Sequence, residues 1–287
     1  FEKGYEEPDI VYGDTDSVFV KFSRIKDGKL LKDKEALQHC IQCGIEAGDY
    51  ITKGLLIKDN KKIKHKPLLH KPQDLEYEKT FSPFILISKK RYTGDKYEFD
   101  IKDYKRTSMG IVLKRRDNAP IVKYVFGNVI EKIMIDKDIH KTLTWLKMTL
   151  QKIKKGEFSP SYFIITKSLR GYYKNPRQIA HKVLADRMAL RDPGNKPKSN
   201  DRIPYAYIKL NDDLLYDTQN PYKSGVRKGQ PRIKNILQGD RIEHIDFIKK
   251  NELQLDYEFY ITNQIKNPVK QVLDLIINEN ESELIFQ

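Results

Sequence analysis

Apolar and polar positions alternate from the start of the chain. DIVYGDTDSVFVKF, Asp9 to Phe22, sets two apolar runs around a polar knot, the pattern of a β-hairpin with Asp-Thr-Asp at its tip. In KDKEALQHCIQCGIEAGDYITKGL the apolar residues Leu37, Ile41, Ile45 and Ile51 follow a helical period. A lysine-rich connector, KDNKKIKHKPLLHKP, precedes two segments that read as strands, LEYEKTF and FSPFILIS, the second running into ISKKRYTGDKYEF. After Asp117 the period turns helical. APIVKYVFGNVIEKIMIDKDIHKTLTWLKMTLQKIKKG predicts two helices with a break at Asp136 to Asp138. NPRQIAHKVLADRMALRD predicts a further helix, capped by Asn175 with Pro176 in its first turn. RIPYAYIKL reads as a strand, Asn220 to Gly239 as a loop or insertion, and Asp256 to Ile277 as a helix that Pro268 kinks or divides. The expected fold class is therefore α+β: antiparallel strands with a helix over residues 1–116, then a mainly helical region over 117–287. No internal repeat is visible.

The 287 residues, 39% of them hydrophobic, are enough for two packed units. Lys and Arg outnumber Asp and Glu by 54 to 40, a net charge of +14 that calls for an acidic partner. Nucleic acid is the first expectation, an anionic membrane the second, and a basic surface kept for solubility the plain alternative. Tyr interleaved with Lys and Arg favours nucleic acid, because rings pack on sugars and bases. No apolar run approaches the roughly 18 residues of a membrane span. No signal-peptide pattern opens the sequence either, so an intracellular setting is expected without a choice of compartment. The first residue is Phe1, almost on top of the most distinctive motif, which suggests a fragment or a processed product.

The two cysteines, Cys40 and Cys43, form C-x-x-C within a helical pattern. A zinc site would need two further ligands, and His39 alone does not complete it. Buried or half-buried thiols in a reducing compartment are the expectation.

Asp14 and Asp16 carry the chemistry. In a strand, alternate side chains share a side, which would project both carboxylates together. Like charges that close call for a cation, and magnesium suits carboxylate oxygens while leaving positions open for phosphates. Asp-Thr-Asp by itself reads more readily as a polar hairpin turn. The longer string YGDTDS between β-branched runs shifts that balance. Gly13 would permit a tight turn, with Tyr12, Thr15 and Ser17 shaping it.

YGDTDS resembles motif C of the family B DNA polymerases, and ISKKRYTG resembles the family's KKRY motif at a similar separation. GIVLKRRDNAP, ITKSL, AHKVLADRMALRDPG and DRIPYAYI follow in the family's palm-to-thumb order. FYITNQIKNPVKQVLDLI is similar to the end of the thumb in delta-type enzymes and their relatives in large DNA viruses. The resemblance covers nearly the whole chain, with Asn220 to Gly239 the main departure. It implies a partial palm over 1–116 and a thumb over 117–287.

It further implies template-directed DNA synthesis, in which a primer 3′-hydroxyl attacks the α-phosphorus of a dNTP at two Mg²⁺ ions. Asp16 would bridge both ions, Asp14 would take a weaker part, and Glu78 matches a carboxylate near the metals. Lys89, Lys90, Arg91 and Tyr92 would follow the primer strand, with part of the motif in the minor groove. Lys114, Arg115 and Arg116, beside Asp117, would contact DNA where palm passes to thumb. Lys167, His181 and Arg187 would reach phosphates, and Arg202 and Tyr205 would do so or support the thumb.

The implied partners are primer–template DNA and dNTP, with a sliding clamp as a further candidate. Neither a DxxSLYPS-like nor a KxxxNSxYG-like segment occurs, so motif A and the fingers lysine are absent, as are the exonuclease and the cysteine clusters of cellular delta enzymes. This chain alone is therefore expected to be inactive, and a viral or simplified relative is favoured. A non-catalytic duplex-binding module and one subunit of a split polymerase stand as the alternatives.

Overall fold

A computed structural model describes residues 8–58, 61–115, 117–211, 215–217, 221, 223–226, 229–230, 232–233 and 236–287. The chain divides into two units, Phe1–Lys114 and Arg115–Gln287. Helices mix with small antiparallel sheets throughout, an α+β fold.

In the first unit, β1 (Asp9–Asp14) and β2 (Ser17–Lys21) form the expected hairpin. Asp14 pairs with Ser17, which leaves Thr15 and Asp16 as a two-residue turn. Thr15 takes the left-handed conformation, at φ 58°. A second small hairpin, β3 (Ile25–Lys26) with β4 (Lys29–Leu30), leads into helix α1 (Asp33–Gly48). Asp33 and Glu35 in the first turn of α1 suit its dipole, and Ala36, Leu37, His39 and Ile41 are buried. Strands β5 (Leu55–Lys58) and β6 (Lys61–Lys64) pair with each other. β7 (Thr80–Ser88), β8 (Arg91–Tyr97) and β9 (Lys105–Met109) then make an antiparallel meander.

LEYEKTF departs from expectation: Leu75–Lys79 belongs to no strand. The segment instead crosses the glycines of α1. A Cβ on Gly44 would stand 2.6 Å from the Tyr77 ring, and one on Gly48 would stand 3.1 Å from the Leu75 carbonyl. Thr52 Oγ1 satisfies Leu75 at both ends, donating to its carbonyl at 2.9 Å and accepting from its N–H at 2.7 Å. The apolar–polar alternation was matched to a helix surface and a threonine, not to a neighbouring strand.

The second unit opens with α2 (Pro120–Ile135) and α3 (Ile139–Lys154), broken at Asp136–Asp138 as the pattern predicts. Asp138 caps α3 by accepting from Lys141 N–H at 3.1 Å. Val125, Phe126, Val129 and Ile130 of α2 and Leu146, Leu150 and Ile153 of α3 are buried. Each such side chain contributes on the order of 1.5–3 kcal/mol when fully removed from water.

A three-stranded sheet has β11 (Arg202–Tyr207) between β10 (Ile165–Ser168) and β14 (Ile242–His244). Helix α4 (Ala180–Arg191) begins later than predicted. Pro176–Gln178 is a separate 3₁₀ turn, and the extended Ile179 (φ −97°, ψ 101°) interrupts the two. Asn220, Tyr222, Arg227, Lys228, Pro231, Lys234 and Asn235 lie outside the described residues. The rest of that stretch is not all loop, since β12 (Tyr216–Asp217) pairs with β13 (Arg232–Ile233).

A long helical run starts at Tyr257, ahead of a short final helix at Glu279–Leu284. Its hydrogen bonding widens to a π pattern over Tyr260–Ile265 and returns to α over Lys266–Leu273. Pro268, which has no N–H to give, sits just after that change and does not divide the run. Tyr260 is wholly buried. Its hydroxyl donates to the Phe163 carbonyl at 2.5 Å and accepts from Tyr207 N–H at 3.0 Å.

Candidate functional site

An aromatic cluster draws the two conspicuous turns of the first unit together. Phe19 of β2 stacks on Phe84 and Phe81 of β7, centroids 5.6 and 6.0 Å away, and meets Tyr92 of β8 edge-on at 5.6 Å. Tyr12 of β1 meets Tyr92 at 6.4 Å. Each such pair adds about 0.5–1.5 kcal/mol beyond simple burial. The β1–β2 turn, Thr15–Asp16, thereby lies beside the β7–β8 turn, Lys89–Lys90, which is closed by the Ser88–Arg91 pair.

Three groups hold Lys90. Its backbone N–H donates to Tyr12 Oη at 2.9 Å, and its ammonium donates to both Asp14 oxygens, at 2.6 and 2.7 Å. Gly110 packs on its carbonyl so closely that a Cβ there would fall 2.1 Å from that oxygen. Lys90 itself is left-handed, at φ 59°. The hydrogen bond from Lys90 holds the Asp14 carboxyl below its ordinary pKa, and the Asp14 bond raises the Lys90 ammonium above its own. Thr15 Oγ1 also donates to Asp14 Oδ1 at 3.2 Å, and Ser17 Oγ donates to the Asp14 carbonyl at 3.1 Å. Gly13 is not under compression, since a Cβ there would meet nothing nearer than Ser17 O at 3.5 Å.

Asp16 occupies the turn, not the strand, so strand alternation does not govern its direction. It is exposed and takes no hydrogen bond from a described residue. Lys89 and Arg91 likewise form no ion pair with a described residue; Lys89 is exposed and Arg91 half-buried. Glu78 is exposed and pairs with its neighbour Lys79. Among the described residues no group of three or more His, Cys, Asp or Glu is arranged to hold a metal. The chemistry of the donors fits magnesium in part: Asp16 is an uncommitted carboxylate, while both Asp14 oxygens already serve an ammonium. Cys40 and Cys43 are free and half-buried. Burial pushes both thiols up, Cys43 to about 11, which makes them poor ligands and poor nucleophiles at neutral pH.

The cations singled out in the second unit are mostly occupied. Lys167 donates to Asp117 Oδ2 at 3.1 Å, and Arg115 reaches Asp117 Oδ1 at 3.4 Å. Burial acts to raise the Asp117 carboxyl, but Lys167 and then Arg115 outweigh it and the carboxyl is lowered. Arg187 serves the fold. Its guanidinium donates to the carbonyls of Gly239 at 2.7 Å and Ile242 at 2.5 Å, and lies 3.6 Å from the buried Glu243, which Arg191 also binds at 2.9 Å.

His181 sits 3.0 Å from Tyr173 Oη, and burial together with Lys167 lowers its pKa, so the ring is neutral at pH 7. Arg202 is exposed and donates to the Thr166 carbonyl at 3.1 Å, while Tyr205 is buried in the sheet. Arg116 and the side chain of Lys114 lie outside the described residues. Tyr12 as a clasp, and Gly110 as the close approach beneath the turn, were missed in the sequence. A lone glycine directly after a strand, Met109-Gly110, was the available signal for the second.

The model of DNA polymerase family B matches residues 2–276. The chain belongs to this family. Relatives of this polymerase family chain include the DNA polymerase of Pyramimonas orientalis virus, 47% identical over 94% of the chain and 20% of that protein. The DNA polymerase of Acanthamoeba polyphaga mimivirus is 42% identical over 97% of the chain and 14% of that protein. The DNA polymerase delta catalytic subunit of Caenorhabditis elegans is 29% identical over 97% and 22%. The family B DNA polymerase structure from Pyrobaculum calidifontis shares the fold with a TM-score of 0.54 at 17% identity, over 94% of this chain and 27% of that one. The family B chain thus spans about a fifth or less of the length of the viral relatives. No described helix is long and apolar enough to cross a membrane.

Proposed function

We propose that this family B chain forms the palm's motif C region and the thumb of a DNA-directed DNA polymerase, with primer–template DNA and dNTP as substrates. The observation that supports this best is the clasp of Tyr12 and Asp14 on Lys90, which joins two turns 78 and 76 residues apart in sequence. A carboxylate turn beside a lysine turn suits a primer terminus, where a cation-bound triphosphate meets the end of a duplex.

In this reading Asp16 holds magnesium, which would polarise the α-phosphate and lower the pKa of the primer hydroxyl. Further ligands are to be sought in the part of the relatives' length that this chain does not span. Lys89 and Arg91 attract the DNA backbone, Lys90 offers an oriented hydrogen, and Tyr92 braces the turn from its aromatic cluster. The second unit is the thumb, whose lysines add attraction for the duplex that does not depend on sequence.

Asp16→Ala in the full-length protein is expected to lower Mg²⁺-dependent primer extension by roughly 10³-fold or more, about 4 kcal/mol of barrier. Duplex binding should be kept. Extension at the wild-type rate would remove Asp16 from the metal site.

A further inference from the structure

The lysine-rich segment between α1 and β7 plays no part in the site described above. From Leu55 to Lys66 the chain carries five lysines, Lys58, Lys61, Lys62, Lys64 and Lys66, against one acid, Asp59. It folds as a two-stranded ribbon, with Leu55 opposite Lys64 and Lys58 opposite Lys61, and no described strand pairs with either outer edge. All of β6 is exposed, as is Lys66, and Lys61, Lys62, Lys64 and Lys66 form no ion pair with a described residue. The root of the ribbon is fixed. His65 N–H donates to the Gly54 carbonyl at 2.7 Å, and the His65 ring packs on Tyr50 with centroids 4.2 Å apart. Gly54 is left-handed, at φ 64°, and a Cβ there would fall 2.2 Å from the His65 carbonyl oxygen.

We propose that the β5–β6 ribbon is a second contact for the phosphate backbone of duplex DNA, separate from the turns of the candidate site and without a part in the chemistry. Three features select this partner. Alternate strand residues share a face, so Lys62 and Lys64 stand about 6.8 Å apart on one side. The phosphates of one strand advance about 3.4 Å along the duplex axis, and the two lysines therefore match alternate phosphates. The ribbon has no aromatic residue, which removes the stacking platform that single strands use. It has no arginine either, whereas protein–protein interfaces are enriched in arginine and depleted in lysine. One or two lysines suffice to keep a free strand edge from pairing with another chain, so edge protection leaves the others unexplained. A flexible ammonium on a fixed strand attracts phosphate and reads no base. The ribbon is thus a tether that slows release of the duplex and leaves the rate of each addition to the site. This goes beyond the polymerase reading, since attraction to the backbone needs neither metal nor nucleotide.

The test is the salt dependence of primer–template binding by the full-length protein, followed by fluorescence anisotropy between about 50 and 200 mM salt. The ribbon variant combines Lys61→Gln, Lys62→Gln, Lys64→Gln and Lys66→Gln. Its slope of log K against log salt is expected to be shallower by about 0.9 for each lysine seated on a phosphate, up to about 3.6 for all four. A control with the same loss of charge combines Lys29→Gln, Lys32→Gln, Lys34→Gln and Lys102→Gln, exposed positions of the same unit, and should keep the wild-type slope. Matching thermal midpoints check that both variants fold. With excess unlabelled duplex as a trap, the ribbon variant should make shorter products per binding event, at an unchanged rate for the first addition.

A ribbon-variant slope equal to wild type, or changed no more than the control's, would overturn the proposal. An unchanged slope together with lost binding to a polyglutamate peptide would overturn it in favour of an acidic protein partner. Failure of the polymerase reading looks different: protein that binds duplex with the ribbon-dependent slope yet extends no primer would sink that reading and leave the tether standing.

Discussion

His181 shows how a residue's surroundings decide what it offers. Its ring is half-buried near Lys167 and Arg170, and burial first, then those charges, lowers its pKa below the ordinary value of about 6.5. A histidine lowered in the folded state binds fewer protons folded than unfolded. Stability therefore rises with pH through that window and is lost as pH falls below about 6.5. His39, lowered mainly by burial, adds to the effect with the same sign. Urea midpoints should be lower at pH 5.5 than at 7.5, and His181→Gln should narrow the gap; a gap unchanged by the variant would contradict the assignment. The hairpin that carries Asp14 and Asp16 was legible in the sequence, while the different surroundings of the two carboxylates were not. Motif spacing exposes the pair, but the two-residue turn that removes Asp16 from the strand, and the lysine 76 residues away that takes Asp14, are matters of register and tertiary packing.

At the level of elements, the hydrophobic pattern located what buries a face of its own and misjudged what is held by another element. The β1–β2 hairpin, α1, α2 and α3 all stand where the pattern put them; the three helices each bury a stripe, and the hairpin sets Phe19 against the aromatic rings of β7 and β8. Leu75–Lys79 looked like a strand and lies instead across α1 at Gly44 and Gly48. Helix α4 carries an ion network beside its buried Leu184 and Ala185. Arg187 and Arg191 reach across to Glu243 of β14, whose side chain is 5% exposed, and Arg191 also lies 3.7 Å over the Phe247 ring. Removing the shared carboxylate would leave two facing guanidiniums without their common anion. Glu243→Ala is expected to cost about 3–5 kcal/mol in chemical denaturation. A loss below 1 kcal/mol would mean that helix packing, and not the ion network, secures α4.

For the whole molecule, two compact units and a net charge of +14 were foreseeable from length and composition. The electrostatics within the second unit were not. Several of its cations neutralise internal carboxylates or carbonyls, so net charge overstates how many are free to meet an anionic partner. Arg187 counts towards the +14 and is spent on Gly239, Ile242 and Glu243. A ladder of salt-dependence measurements reads free cations, not total ones.

The buried hydroxyl of Tyr260 has a bearing on biosynthesis. It ties Phe163 to Tyr207 across separations of 97 and 53 residues, so the middle of the second unit lacks its central polar anchor until residue 260 has left the ribosome. The first unit needs nothing beyond residue 114 for the pairings and clasps described. On ribosomes stalled at residue 200, with a linker long enough to clear the exit tunnel, the first unit should resist protease while residues 115–200 are cut. Protection of both at that length would show that the second unit consolidates without its anchor. Translation, on this view, assembles the turn-bearing unit first and leaves the second unit open until the helical run that carries Tyr260 arrives.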